Sequence, residues 1–330
     1  MPSLDLSQHK TLLTGGAGFL GSHVAEHLVD HGLRVGEIPP IGSGTTKFLR
    51  DHDVLVPRSR DYDLTRQQDL NFLFDFYAPT VVIHLAAVCG GIGLNRQKPG
   101  ELFYKNLMMG VQLMDTARRK GVKKFVSVGT VCAYPKYTPA PFREDDLWAG
   151  YPEETNAPYG LAKKMLLVQG NAYRQQYNFN SIYLLPVNLY GPRDNFDPQS
   201  SHVIPALIRR FQEAKEEDLP EVTVWGTGAA TREFLYVDDA ATAIVLATQH
   251  HDSPDPVNLG SGQEITIRDL VTLIAELVGY HGRISWDHTK PDGQPRRLLD
   301  TSRAKQFGFT ASTRLRDGLQ RTISWYLSHR

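Results

Sequence analysis

The sequence predicts an α/β fold, a doubly wound parallel sheet with a smaller C-terminal α/β lobe. Three observations predict it. Over the first two-thirds of the chain, short and continuously apolar runs alternate with segments whose apolar residues recur at helical spacing. Such runs are strands buried on both faces, and the helices between them are the crossovers that parallel neighbours require. A glycine-rich turn follows the first of these runs, and beyond residue 190 the texture shifts to loops, one amphipathic helix and a short strand.

Taken in order, "KTLLTGG" is the first strand, and a helix over 20–31 follows it and is stopped by Gly32. "PTVVIHLAAV" is a strand leading to the helix "ELFYKNLMMGVQLMDTARRKG", which ends at Gly121. "VKKFVSVG" is a strand, and a loop separates it from the helix "YGLAKKMLLVQGNAYRQQY" and the strand "NSIYLLPVNLYG". A strand–helix pair near "YVDDAATAIVLATQ" and the short "PVNLG" rejoin the main sheet. The expected division is therefore a dinucleotide-binding domain over 1–190, rejoined by about 236–260, and a substrate lobe formed by 191–235 and 261–330. Small ligands favour the cleft between two such lobes.

The 330 residues carry 36 basic and 36 acidic side chains, a formal net charge of zero. That balance argues against a nucleic-acid or membrane partner held by charge. Two cysteines, Cys89 and Cys132, are too few for a disulfide framework or a zinc site. No metal is expected. No run approaches the length of a membrane span and the N-terminus has no signal-like stretch, so a cytoplasmic setting is the expectation.

Gly15, Gly18 and Gly21 stand three apart in "TGGAGFLGSH", with Phe19 and Leu20 opening the helix. Such a loop lets backbone approach a pyrophosphate at the N-terminus of the next helix, the Rossmann arrangement. The choice between NAD and NADP has two readings. If "LRVGEI" is the second strand, Glu37 is the acid for a ribose hydroxyl; if "DVLVPRSR" is, Arg58 and Arg60 clamp a 2′-phosphate. The reading taken is NADP(H), with NAD(H) as the alternative. Asp63, followed by Leu64 at a strand end, is expected to contact the adenine, and Ala86 of "HLAA" is an expected cofactor contact.

"YGLAK" puts Tyr159 and Lys163 on one face of a helix, where the ammonium is expected to lower the tyrosine pKa. Thr130, 29 residues upstream, ends a neighbouring strand. "TGGAGFLG", "HLAA", the Thr130 position and "YGLAK" together resemble the extended short-chain dehydrogenase/reductases, which implies the Rossmann fold and NAD(P) use.

Longer strings narrow the resemblance. "GGIGLNRQKP", "CAYPK", "EETNAPYGLAKK", "NLYGPRDNFDPQSSHVIPAL", "VWGTGAATREFLYVDD" and "KPDGQPRRLLD" resemble the GDP-L-fucose synthase family nearly end to end. That family performs 3,5-epimerisation and 4-reduction of GDP-4-keto-6-deoxy-D-mannose. By this resemblance Cys132 and His202 are the epimerising acid/base pair, while Tyr159 protonates O4. The residue types suit the task. A C4 ketone acidifies the protons on C3 and C5, and thiols and imidazoles exchange protons near neutral pH. Cys89 is expected to be a small buried hydrophobe.

For the GDP moiety, Trp225 would stack on guanine, Arg210 and Arg232 would neutralise the diphosphate, and Lys290 is a substrate-side cation. Val203, Val224 and Asn188 complete the expected substrate contacts. The resemblance also implies a homodimer through the helices at 101–120 and 159–178. Three departures from the family pattern stand out. Ala17 replaces a basic residue of the first loop, "GEIPPIGSGTTKFLRDH" over 36–52 reads as an insertion, and Thr130-Val131 replaces a Ser pair. Rival readings are a GDP-sugar 3,5-epimerase, a GDP-keto-deoxyheptose epimerase/reductase, and a regulator that binds dinucleotide without catalysis. The intact set Thr130, Cys132, Tyr159, Lys163 and His202 argues against the last.

Overall fold

A computed structural model describes residues 3–38, 40, 52–290 and 294–330. Most of the expected insertion over 36–52 lies outside the described residues.

The elements run β1 (Thr11–Thr14), α1 (Phe19–Asp30), β2 (Val35–Glu37), β3 (Val54–Val56), α2 (Gln67–Tyr77), β4 (Val81–His84), α3 (Ile92–Gln97), α4 (Pro99–Arg119) and β5 (Lys124–Val128). They continue with α5 (Ala157–Tyr177), β6 (Ser181–Pro186), β7 (Asn188–Tyr190), α6 (Val203–Glu216), β8 (Glu221–Trp225), β9 (Thr231–Tyr236), α7 (Val237–His250), β10 (Val257–Leu259) and β11 (Glu264–Thr266). The chain ends with α8 (Ile267–Val278), β12 (Arg283–Asp287), α9 (Ser302–Gln306) and α10 (Leu315–His329).

Seven strands form the main sheet in the order β10-β6-β5-β4-β1-β3-β2, every neighbouring pair parallel. The strands β1, β4, β5 and β6 are buried along their whole length, as their unbroken apolar runs require. After β3 the chain crosses to the far side of β1 to lay down β4, so the winding reverses between β1 and β4. Ligands of doubly wound sheets bind at that switch point, outside the carboxyl ends of the strands. Those ends are Thr14, leading into the glycine loop, and His84, leading to Cys89.

Both candidates for the second strand are strands. "DVLV" lies beside β1, and "LRVGEI" supplies the edge strand outside it.

The smaller core gathers around α6, α8 and α10, with Ile208, Phe211, Leu270, Ile274 and Leu319 at its centre. A three-stranded sheet β11-β9-β7 and the parallel pair β12-β8 accompany it. One stretch departs from the expected division: Leu299, Ala304, Phe307 and Phe309 pack into the main core instead of the lobe. Glu233 on β9 helps lock that return by accepting the Leu299 backbone N–H at 2.7 Å and the Gly262 N–H at 2.6 Å.

Candidate active site

A cavity of about 870 Å³ opens at the switch point. At one end it is walled by Gly15, Gly18, Phe19, Leu20 and Gly21, and further along by Ala86. Helix α1 starts there with no side chain capping it and no acid in its first turn, which leaves backbone N–H groups and the positive helix end for an anion. Gly21 is obligatory, since a Cβ there would lie 2.0 Å from the Gly15 carbonyl oxygen. This cradle fits the pyrophosphate of a dinucleotide.

Arg58, Asp63 and Leu64 line the cavity beyond the loop. Asp63 accepts hydrogen bonds from the Thr65 N–H and hydroxyl at 2.9 and 2.7 Å, which hold its carboxyl below the usual range. Arg60 does not join them; it turns outward and pairs with Asp61 at 3.2 Å. The clamp of two arginines expected from sequence is therefore a single arginine, Arg58, and that residue is bonded to Glu37 at 2.6 Å.

The opposite end carries Thr130, Cys132, Tyr159, Lys163, Asn188 and His202. Thr130 caps a short 3-10 turn over Val131–Ala133 by accepting the Cys132 N–H at 3.2 Å, which leaves its own O–H free to donate. The turn lies flat against α5, because Gly160 offers no side chain where a Cβ would be 2.4 Å from the Cys132 carbonyl oxygen. One helix and one turn thus hold Thr130, Cys132, Tyr159 and Lys163.

Burial sets their protonation. Lys163 is only 2 % exposed, and loss of hydration pulls its pKa down to about 8. Tyr159 moves opposite to the sequence expectation. Burial, reinforced by the thiols of Cys89 and Cys132, pushes its pKa well above that of a free phenol. Tyr159 is thereby kept as a proton donor. The imidazole of His202 faces the cavity, and desolvation holds its pKa below the ordinary value, so it is neutral at pH 7.

His202 stands just before α6, and its approach is fixed by a clasp. The Gly91 N–H donates to the Ser200 carbonyl at 2.9 Å, and the Ser200 hydroxyl is tied to Asn195 and Asp197 at 2.8 and 2.7 Å.

Cys89 corrects the sequence reading, since it is exposed into this cavity instead of being buried in apolar packing. Asn156 and Arg297 also line the cavity. Both sit in strings already singled out, "EETNAPYGLAKK" and "KPDGQPRRLLD", yet neither carried a signal separating it from its neighbours. Arg296, adjacent to Arg297, is instead paired with Glu264.

Val203, Val224, Arg210, Trp225, Arg232 and Lys290 are not among the cavity's walls. The pairing of β8 with β12 sets Trp225 opposite Asp287 and brings the Lys290 ammonium 5.6 Å from the indole, with Trp225 63 % exposed. Val224 is buried beneath them. Arg232 donates to the Thr231 carbonyl at 2.7 Å, while Arg210 and Val203 lie exposed on α6.

An anion cradle at one end and, at the other, a half-buried phenol one turn from a buried ammonium place the chain among the dinucleotide-dependent enzymes of the extended short-chain dehydrogenase/reductase class. The sequence model of the NAD dependent epimerase/dehydratase family matches residues 11–260. GDP-L-fucose synthase 1 of Arabidopsis thaliana is 42 % identical over 327 residues, covering 99 % of this chain and 96 % of its own. GDP-L-fucose synthase of Escherichia coli K12 is 37 % identical over 337 residues, covering 98 % of each. The NADP-bound GDP-L-fucose synthetase of Naegleria fowleri superposes with a TM-score of 0.83 at 26 % identity, over 99 % of this chain and 97 % of that one. The chain belongs to the NAD dependent epimerase/dehydratase family and, within it, to the GDP-L-fucose synthases.

The clasp yields a prediction. A Cβ at Gly91 would fall 2.5 Å from the Ser201 carbonyl oxygen, so Gly91→Ala must displace the segment that carries His202. Turnover is expected to drop at least about tenfold, with amide exchange in 194–203 accelerated and the melting midpoint little changed. Wild-type turnover together with unchanged exchange would show that the clasp does not hold His202.

Proposed function

We propose that the chain converts GDP-4-keto-6-deoxy-D-mannose to GDP-L-fucose, epimerising C3 and C5 and reducing C4 with NADP(H). The observation that carries this reading is one cavity lined by two proton-exchanging sets, Thr130–Tyr159–Lys163 and Cys132–His202. A simple reductase needs only the first.

The roles follow from the protonation states. The ketone at C4 makes the hydrogens on C3 and C5 acidic, because the carbanion left behind delocalises as an enolate. Neutral His202 and the Cys132 thiol form the pair that removes a proton from one face and returns one to the other. Thr130 donates its free O–H toward the C4 oxygen, and Tyr159, kept protonated by burial, delivers the proton that turns the oxyanion into a hydroxyl. NADP(H), when bound, would supply the hydride. Gly15, Gly18, Phe19, Leu20, Gly21, Arg58, Asp63, Leu64, Ala86 and Lys163 are the residues that would hold NADP(H).

The larger division at residues 1–190 with 236–260 serves the dinucleotide, and the lobe serves the GDP group. Trp225, with Lys290 over its ring, is assigned to guanine, and Arg210 and Arg232 are assigned to the diphosphate. Asn188, Val203 and Val224 are assigned to the substrate side, Asn188 being held by donation to the Glu233 carbonyl at 3.0 Å. The exposed Phe103, Tyr104, Val168 and Tyr177 on α4 and α5 give these packed helices an apolar outer face suited to a homodimer.

Two variants separate the half-reactions. Cys132→Ser should slow solvent deuterium exchange into the keto-sugar by about 10²-fold or more, while Tyr159→Phe should slow NADPH oxidation by a similar factor and leave exchange intact. Native exchange in Cys132→Ser would remove the thiol from the mechanism. A second prediction concerns pH. Lys163, with its pKa near 8, is a cation below that pH and neutral above it. The affinity for NADP+ should therefore be flat up to neutral pH and weaken as pH rises through about 8; an affinity indifferent to that range would contradict the cationic role.

A further inference from the structure

At the adenosine end of the cavity the cations do not stand alone. Arg58, which lines the cavity, donates to the Glu37 carboxylate at 2.6 Å. Lys105, the other cation on this wall, is bonded to Glu101 at 2.6 Å. Arg60 and Arg66, nearby in sequence, pair with Asp61 and Asp63 at 3.2 and 3.5 Å. Each of these four described cations thus already has a carboxylate partner.

The origin of the key pair lies in the topology. Arg58 follows β3, the strand beside β1, so it occupies the place from which a basic residue reaches a 2′-phosphate. Glu37 ends β2, which hydrogen-bonds to β3 in parallel register with Glu37 opposite Val56. The edge strand therefore delivers an acid to the same sheet end that carries the base. NAD sites use an acid here and NADP sites a cation; this chain presents both, bonded to each other.

We propose that Glu37 sets the dinucleotide selectivity of this chain, restraining its preference for the 2′-phosphate and allowing NAD(H) to bind alongside NADP(H). The inference rests on the dinucleotide-dependent reading above. A 2′-phosphate is close to a dianion at neutral pH, and binding it requires Arg58 to leave or share its carboxylate while that carboxylate stays close by. Repulsion and the lost ion pair both count against NADP(H). A ribose carrying a free 2′-hydroxyl disturbs neither charge, and a carboxylate can accept from it. Because the side chain of Glu37 is 56 % exposed and that of Arg58 32 % exposed, the effect is of the size of a surface ion pair and is screened by salt. Glu37 is thus a specificity residue that acts through Arg58, outside the proton-transfer machinery.

The test is direct binding, by calorimetric titration of NADP+ and NAD+ into the full chain and into Glu37→Gln and Glu37→Ala, at low and high salt. Both variants lie at an exposed position, and agreement between them guards against a local folding effect. The wild type is expected to bind both dinucleotides. Each variant should shift the ratio of affinities toward NADP+ by about three- to tenfold, with a smaller shift at high salt. A ratio unchanged in both variants, or moved toward NAD+, overturns the role of Glu37 while leaving the dinucleotide site intact. Failure of the wild type to bind either dinucleotide overturns the broader reading and this one with it.

Discussion

The site depends on one close approach, the turn over Val131–Ala133 resting against helix α5 at Gly160. Any side chain at 160 would meet the Cys132 carbonyl, so the turn and the helix could not share this position. Their contact brings Thr130, Cys132 and Tyr159 to one cavity. Thr130 stiffens the arrangement by capping the turn it begins. Thr130, Cys132, Tyr159 and Lys163 become one rigid unit, which the proposed epimerisation and reduction would share without rearrangement.

Desolvation then assigns the chemistry. The same protein mass that buries Lys163 lowers its pKa, raises that of Tyr159 and keeps His202 neutral. A phenol that holds its proton is what a ketone being reduced requires, and a neutral imidazole is what an acidic C–H requires. The sheet makes this affordable. Its parallel strands, three to six residues long, form the buried main core and leave the switch point open at their carboxyl ends.

Much of this was legible in the chain itself, for physical reasons that differ between residues. Tyr159 and Lys163 share a helix, and helical spacing alone puts them on one face. Thr130 and Cys132 share a turn, so their proximity is local. His202 is distant in sequence, and only the resemblance to a known family joined it to Cys132; the clasp between Gly91 and Ser200 that brings it there is a tertiary contact with no local signal. Cys89 was misread because a cysteine after an apolar run usually continues the core, whereas here the run ends at the switch point and opens into the cavity. Arg58 and Arg60 are indistinguishable as letters, and the direction each takes on leaving β3 separates them. The two proposed second strands were rivals in sequence yet neighbours in the sheet, which is how an acid and a base came to face each other. The direction of the Tyr159 shift was misjudged because spacing reports the neighbouring ammonium but not the depth of burial, and burial is the larger effect.

The most direct measurement of the central claim, that one cavity performs both reactions, is a single turnover of GDP-4-keto-6-deoxy-D-mannose with NADPH in heavy water, followed by mass analysis of the sugar. The account predicts a product reduced at C4 that carries solvent deuterium at both C3 and C5. A reduced product free of solvent deuterium would contradict it, leaving a reductase in which Cys132 and His202 have no part in proton exchange.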